Sequence, residues 1–399
     1  MAITFHTQPQ VFTPGSNPVV WTFSSDETGQ ENFSYIVEVY VNSIFHSTHQ
    51  VFPQNGIYAK FNASEIARGL LSSPLITDGT LVTLYETAFD IIEITVYEQY
   101  GTPPAIEASD DSNASYVFNA ALRHPDFVNW DYWDYNISTN NPLSGIAYLT
   151  SWPRTYKYLC GLNEKVFLGF ISNDSGLQVD IRLYNAANTL IASSLGNAIT
   201  FQPLNVIDAS PQNIINNTAI TSGDFSTCVY YTVRTNASGG GAYTGRSEVF
   251  KIYIDTECQR YPAKRLHWLN KFGVYDSFTF TLVSTDSTKV EGNRYEKEKG
   301  VWNNEDYVYP LYQGESSTYS KRAEDTLILN SDWIKEEVQN WLVRELYESP
   351  KVYLEDENGN FEPVNITNSS YKLKVNRRDG LIQEQVEISR TYVYNSQLN

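Results

Sequence analysis

His46 and His49, three residues apart, are the nearest approach to a metal-ligand pair in this 399-residue chain. A zinc site gathers thiolates, imidazoles or carboxylates at set spacings. No cysteine or acid flanks this pair at such a spacing, and no H-E-x-x-H string occurs. Asp356-Glu357-Asn358-Gly359-Asn360 has the oxygen-rich composition of a calcium loop. It lacks the glycine at the sixth position and the glutamate at the twelfth, and a hairpin turn explains it. The other histidines, His6, His124 and His267, are scattered. There is no G-x-S-x-G elbow, and Cys160, Cys228 and Cys258 carry no partner motif for thiol chemistry. Gly239-Gly240-Gly241 lacks the Lys-Ser/Thr of a phosphate-binding loop and reads as a long hairpin loop. Nothing singles out a carboxylate pair for glycoside hydrolysis among 46 acids. The reading is a protein without catalytic, metal or cofactor residues, which works by contact.

Two stretches are dense enough to make contacts. Asn129–Asn136 reads NWDYWDYN, with Trp130, Tyr132, Trp133 and Tyr135 interleaved with aspartates. Aromatic rings can stack on a sugar while carboxylates accept from its hydroxyls. The same residues also suit an inter-domain contact, where Trp and Tyr bring large area with a polar tip. Lys264–Phe280 reads KRLHWLNKFGVYDSFTF. Leu266 and Trp268 alternate before Gly273, and Phe278 and Phe280 after it. A strand, a tight turn at Asn270-Lys271-Phe272-Gly273 and a second strand follow from that pattern, with glycine tolerating a positive φ. Asp276 is placed to satisfy turn amides or to pair with Arg265. The segment reads as a structural junction of Arg265, Trp268, Asn270, Gly273, Asp276 and Phe278.

The elements around these stretches are mostly strands. Tyr35, Val37, Val39 and Val41 alternate, as do Ile92, Ile94 and Val96; Val179, Ile181 and Leu183; Val229, Tyr231 and Val233; and Phe250, Ile252 and Ile254. Asn62–Leu71 predicts a short helix capped by Asn62 or Ser64, with Ile66 and Leu70 as its buried stripe. Gly101–Ser115 reads as a loop. Ser331–Leu342 predicts an amphipathic helix with Ile334, Val338, Trp341 and Leu342 on one stripe, ended by Ser349-Pro350. Hairpins follow at Asn358-Gly359 and at Asp379-Gly380, the latter between Tyr371–Val375 and Leu381–Tyr394. The last strand, Gln383–Tyr394, is long enough to recruit a partner strand. No internal repeat recurs at a fixed period.

The expected architecture is therefore mainly β and multi-domain. Residues 1–141 and 142–280 are each read as an Ig-like β-sandwich, and 281–399 as a β-rich α+β domain with one amphipathic helix and an extended arm near 284–307. Hydrophobic residues at 41% and aromatics at 14% suffice for real cores. The net charge of −18 repels phosphate backbones, so direct nucleic-acid binding is not expected. An odd cysteine count, no signal-peptide pattern and no long apolar run point to cytoplasmic synthesis without a membrane segment.

With these residues in view, Lys264–Phe280, preceded by Ser247–Cys258, resembles virion proteins of tailed bacteriophages that infect Bacteroidales, including the crAss-like phages. Their R-x-x-W-L-N-x-x-G-x-x-D-x-F-x-F string is matched by Arg265, Trp268, Leu269, Asn270, Gly273, Asp276, Phe278 and Phe280. The segments Lys60–Leu71 and Asp332–Leu354 look like the family too. The resemblance implies a structural neck, tail-ring or tail-associated subunit located in the virion. Its implied partners are its own copies, in a homo-oligomeric ring, and other tail or neck proteins. A carbohydrate- or receptor-binding tail module using Trp130–Tyr135 is the alternative.

Overall fold

The alternation in the sequence is realised as facing sheets. The computed structural model describes residues 3–174, 176–196, 203–239, 242–256, 260–302, 304–368 and 380–395. The first elements are β1 (Thr4–Thr7), β2 (Phe12–Pro14), β3 (Val20–Ser24), β4 (Ser34–Val41), β5 (Ile44–Val51), β6 (Tyr58–Asn62) and α1 (Ser64–Leu70). They are followed by β7 (Val82–Leu84), β8 (Phe89–Tyr100), β9 (Ala105–Asp111) and β10 (Ser115–Phe118). One sheet has the order β1-β3-β6 and the other β2-β10-β8-β4-β5, with β9 added to β8. Tyr35, Val37 and Val39 from β4 and Ile92, Ile94 and Val96 from β8 meet Trp21, Phe23 and Phe61 of the opposite sheet in one core. Burial of these side chains drives the pairing, at about 25 cal/mol per Å² of apolar surface.

The next segment builds a second sandwich on the same plan. It contains α2 (His124–Val128), β11 (Tyr158–Cys160), β12 (Phe167–Ile171), β13 (Leu177–Tyr184), β14 (Leu190–Leu195), β15 (Leu204–Asp208) and α3 (Pro211–Asn217). It continues with α4 (Ser222–Phe225), β16 (Tyr230–Gly239), β17 (Ala242–Gly245) and β18 (Phe250–Ile254). Its larger sheet runs β11-β18-β16-β13-β14, with β17 added to β16. This order matches β2-β10-β8-β4-β5 strand for strand, including a parallel edge pair in each, β2 with β10 and β11 with β18. In both, helix separates the two sheets at the same point, α1 before β8 and α3–α4 before β16. The strand order is Ig-like in both cases. A tyrosine hydroxyl ties each helical crossover: Tyr85 donates to the Pro74 carbonyl, and Tyr231 donates to the Ala209 carbonyl at 2.7 Å.

The smaller sheet of the second sandwich is β12-β15-β7, so its third strand comes from the segment between α1 and β8. Leu84, Thr83 and Val82 pair with Asn205, Val206 and Ile207. Sequence places a boundary at residue 141, but this exchanged strand joins the two sandwiches below it. Accordingly the chain divides into two compact units, Met1–Thr256 with Trp268–Ser277, and Glu257–His267 with Phe278–Asn399.

The second unit is a sheet carrying one long helix. Its elements are β19 (Lys264–Leu269), β20 (Tyr275–Phe280), β21 (Thr285–Glu296), β22 (Val301–Trp302), β23 (Tyr307–Val308), β24 (Ser316–Asn330) and β25 (Ile334–Lys335). Then come α5 (Glu336–Glu348), β26 (Val352–Glu355), β27 (Phe361–Ile366), β28 (Leu381–Ile382) and β29 (Gln385–Asn395). The sheet order is β20-β19-β26-β27-β29-β24-β21, with Trp268–Leu269 and Tyr275–Ser277 of the first two strands assigned to the other unit. The Asn358-Gly359 turn forms as expected, with Gly359 at φ +78° and the Asp356 carboxylate accepting from the amides of Asn358 and Asn360.

Several local expectations are corrected. α1 buries Ser64 and Ala67, and Ile66 packs half-buried against the same core, but Leu70 is exposed, so the expected stripe holds at Ile66 and fails at Leu70. Asn62 accepts from the Ser64 amide, but also from Val19, so it ties the helix start to the neighbouring loop. The expected loop 101–115 contains β9, which prolongs the hairpin from β8 with an exposed, acidic face. The expected arm near 284–307 begins with a regular strand, β21. The long helix starts at Glu336, because Ile334 and Lys335 are held by β28 as strand, and the Ser331 hydroxyl accepts from the Glu384 amide. Its buried face is Val338, Trp341, Leu342 and Leu346. Tyr371–Val375, Asp379, Cys258, Gly240 and Gly241 lie outside the described residues.

Moving the helix start gives a direct test. Leu346→Ala should destabilise the second unit by about 2–5 kcal/mol, as a fully buried leucine does. Ile334→Ala, in a half-buried short strand, should cost less than about half of that. Urea unfolding followed by circular dichroism measures both, and equal losses would restore the earlier helix start.

Candidate functional site

The densest stretch of the sequence becomes the tip of the β19–β20 hairpin, and the tip is buried. Its turn is organised by one side chain. Asn270 Oδ1 accepts from the Phe272 amide at 2.9 Å and from the Val274 amide at 3.3 Å. Asn270 Nδ2 donates to the Leu149 carbonyl at 2.9 Å and to Asp276 Oδ2 at 3.0 Å. The backbone closes the turn with Gly273 N donating to Asn270 O at 3.0 Å and Asn270 N donating to Val274 O at 2.8 Å. The turn amides are thus satisfied by Asn270, while Asp276 orients Asn270. Asparagine suits this role because its amide both accepts and donates.

Gly273 has φ +79°, and a Cβ there would collide with the Asn119 carbonyl. Glycine is required twice over, by backbone conformation and by close approach. The Gly273 carbonyl accepts from Ser73 Oγ at 2.7 Å, Ser73 Oγ accepts from Asn119 Nδ2 at 2.9 Å, and the Lys271 carbonyl accepts from the Ala121 amide. Those partners belong to the first sandwich. From the second come Leu149, Gly169, whose missing side chain makes room for Val274, and Tyr158, whose hydroxyl lies 2.8 Å from Ser277 Oγ. The tip therefore bonds to both sandwiches of its unit. Trp268, Phe272, Val274 and Tyr275 are all buried.

The aromatic cluster packs beside the same tip. Trp130 is buried, stacked on Tyr135 with centroids 5.0 Å apart, and its indole N–H donates to the Phe12 carbonyl at 3.0 Å. Tyr135 and Trp130 both approach the ring of Phe272. Tyr132 and Trp133 lie half-buried with ring centroids 4.7 Å apart, and the Trp133 amide donates to Asp131 Oδ1. Burial, reinforced by Asp134, pushes the Tyr135 phenol above its ordinary range. Burial also raises Tyr132. Trp130 and Tyr135 spend their rings on packing, as an interior contact does.

In the other unit, the base of the hairpin carries a sealed polar group. His267 Nε2 lies 2.7 Å from Glu355 Oε2, and Arg265 Nε is 3.9 Å from the same oxygen. Arg265 also donates to Thr279 Oγ1 at 2.5 Å. All of Arg265, His267 and Glu355 are buried, and the imidazole meets Phe361 edge-on. A substrate cannot reach groups so enclosed, and buried charges are retained when paired and hydrogen-bonded. Phe278 is half-buried against the buried Phe280. Glu355, Ser73 and Leu149 have no signal near the hairpin in sequence, being 88, 200 and 121 residues from their partners.

His46 and His49 lie on β5, where the register shift opposite Val39 and Tyr40 leaves His46 as an extra, bulged residue. Ser47 Oγ hydrogen-bonds with both rings, and His49 tilts against Phe61. Among the described residues no three His, Cys, Asp or Glu side chains gather as a metal site, and no helix is long and apolar enough to cross a membrane.

No family model and no curated protein matches the chain. Solved structures that it matches include the Plexin A4 full extracellular region, domains 1 to 8, at 9% identity and a TM-score of 0.18. That match covers 98% of this chain and 39% of the other. The same region with domains 1 to 10 gives 10% identity, a TM-score of 0.18, and coverage of 98% and 38%. The chain spans under half the length of either plexin chain, and likeness at this TM-score carries no argument.

Two glycines with positive φ isolate the role of the tip. Gly145, at φ +73° with open space around it, should tolerate alanine at about 1–2 kcal/mol. Gly273→Ala must also displace the Asn119 backbone and should cost on the order of 4 kcal/mol or more. Trp268→Ala should cost about 3–5 kcal/mol. Thermal and urea unfolding measure all three, and equal effects of the two glycine variants would refute the close approach.

Proposed function

We propose that the protein is a structural subunit of a tailed-phage virion, acting in the neck or tail through contacts with its own copies and with other tail proteins. The carrying observation is the ribbon of the second unit. β21 is exposed along its whole length, and on its partner β24 burial begins only at Leu327. At its far end β22 and β23 pair, and the segment exposes Trp302, Tyr309, Leu311 and Tyr312. Large apolar side chains concentrated at the end of a polar ribbon are what an inserting contact needs, since buried aromatics dominate interface energetics. The sequence resemblance at Arg265–Phe280 points the same way. So does the use of the densest residues as packing and polar links. In a ring, head-to-tail contacts between identical subunits would close the assembly.

Mass spectrometry of purified particles of the encoding phage should detect the chain at a copy number fitting a ring, and microscopy should place it in the neck or tail. Absence from particles overturns the proposal. The variant Tyr309→Ser/Leu311→Ser/Tyr312→Ser should unfold within about 1 kcal/mol of the parent, because these side chains pack on nothing buried. It should fail to enter particles, and normal incorporation would remove the tip from the assembly contact.

A further inference from the structure

The outer edge of β21 has a charge order that is its own complement, and we infer that it pairs antiparallel with β21 of a second copy across a two-fold axis at Val290. Among the described residues β21 is the last strand of its sheet, with one row of its backbone N–H and C=O groups facing outward. All 12 of its residues are exposed. The register irregularity beside Asn293 falls on β24, where Tyr319 is the extra residue, so β21 itself runs regularly.

Counted from Val290, Asp286 stands four residues before, Lys289 one before, Glu291 one after and Arg294 four after. A two-fold axis normal to the sheet sets each position opposite its mirror position. Asp286 then faces Arg294 of the second copy, and Lys289 faces Glu291, each contact occurring twice. Glu296 meets the uncharged Ser284. Moving the axis to Glu291 sets Asp286 against Glu296 and Glu291 against its own copy, and moving it to Lys289 sets Lys289 against its own copy and gives no charge a partner of opposite sign. One register is therefore selected.

The strand behind β21 extends the pattern. Lys289 lies opposite Glu324 and Glu291 opposite Arg322. On that face the joined sheet carries the row Glu324, Lys289, Glu291, Arg322, alternating in sign from one copy into the next, and the same row in reverse beside it. Lys289 and Glu291 already lie 2.7 Å apart within the strand, so each charge would have neighbours of opposite sign along and across the sheet. Charged edges often keep strands apart by repulsion. Here the signs are antisymmetric, and opposite charges across an antiparallel pair attract. Val290, 58% exposed in the single chain, would be covered by its own counterpart. Such a contact is isologous, whereas closing a ring is heterologous. It stands apart from the virion reading, and either can fail without the other.

Two variants read the register. Val290→Cys places two thiols directly opposite, at a Cα separation of about 4.5–5.5 Å that a disulfide spans. Thr288→Cys sets its thiols four residues out of step. Under mild oxidation, with the parent as control for native thiols, the Val290 variant should give at least about ten times more covalent dimer. Equal yields, or none at Val290, overturn the proposal. By sedimentation, Asp286→Arg and Arg294→Asp should each weaken the dimer about tenfold or more in low salt, and the double variant should regain most of the loss. Residues eight apart in one strand are roughly 26 Å from each other, so rescue must come from the second copy. A double variant no better than the singles, or a parent that stays monomeric at about 100 µM, refutes the pairing.

Discussion

A buried turn must have every polar group satisfied, and the turn at residues 270–274 meets this demand through Asn270. Its side chain accepts from two turn amides and donates to Leu149 and Asp276. An unsatisfied buried donor costs about 1–3 kcal/mol, so each of these bonds restricts where the hairpin tip can sit. The tip is fixed further by Gly273, whose carbonyl takes the Ser73 hydroxyl. The order of the first unit depends on this, because the tip's partners come from both of its sandwiches.

Those sandwiches share one strand order, with a strand added to the middle one, a helical crossover and a tyrosine tie in each. Sharing a topology requires only that apolar faces recur in the same sequence of strands. It does not require recurring residues, which is why no fixed-period repeat is visible. Exchange of β7 into the second sandwich makes the pair one compact unit. A strand crossing between sheets contributes backbone bonds as well as packing, so the two sandwiches share interior and not only surface.

The second unit follows a different economy. Its core lies under α5 and the lower halves of β24 and β29, where Leu327, Leu329, Val386 and Ile388 are buried with Leu342 and Leu346. Polar groups inside it are joined: Gln339 donates to Glu384, the Glu384 carbonyl accepts from the Ser331 amide, and the Glu384 amide donates to the Ser331 hydroxyl. Beyond that core the β21–β24 ribbon continues with little burial, held by its ladder. Exposed ion pairs such as Lys289–Glu291 add little, because solvent screens them. A ribbon built this way has its side chains and its outer edge available for contact.

Local sequence determined the strand faces, the glycine turn at Gly273, the Asn358-Gly359 hairpin and the helix stop near Pro350. Each depends on period, backbone permission or a missing N–H within a few residues. Tertiary structure decided the rest. Ile334 fits a helical stripe by spacing yet is strand, because β28 offers a pairing partner 48 residues away. Trp130 and Tyr135 have the composition of a sugar platform, but Phe12, Phe118 and Phe272 close around them. Domain boundaries drawn from composition missed β7, since a three-residue strand reveals its sheet only when Asn205–Ile207 lies beside it. The residues Lys264–Phe280 were legible as a hairpin. That Asn270 organises the turn, and that His267 and Arg265 converge on Glu355, could be decided only in three dimensions. Hydrogen bonds between residues so far apart leave no spacing in the chain.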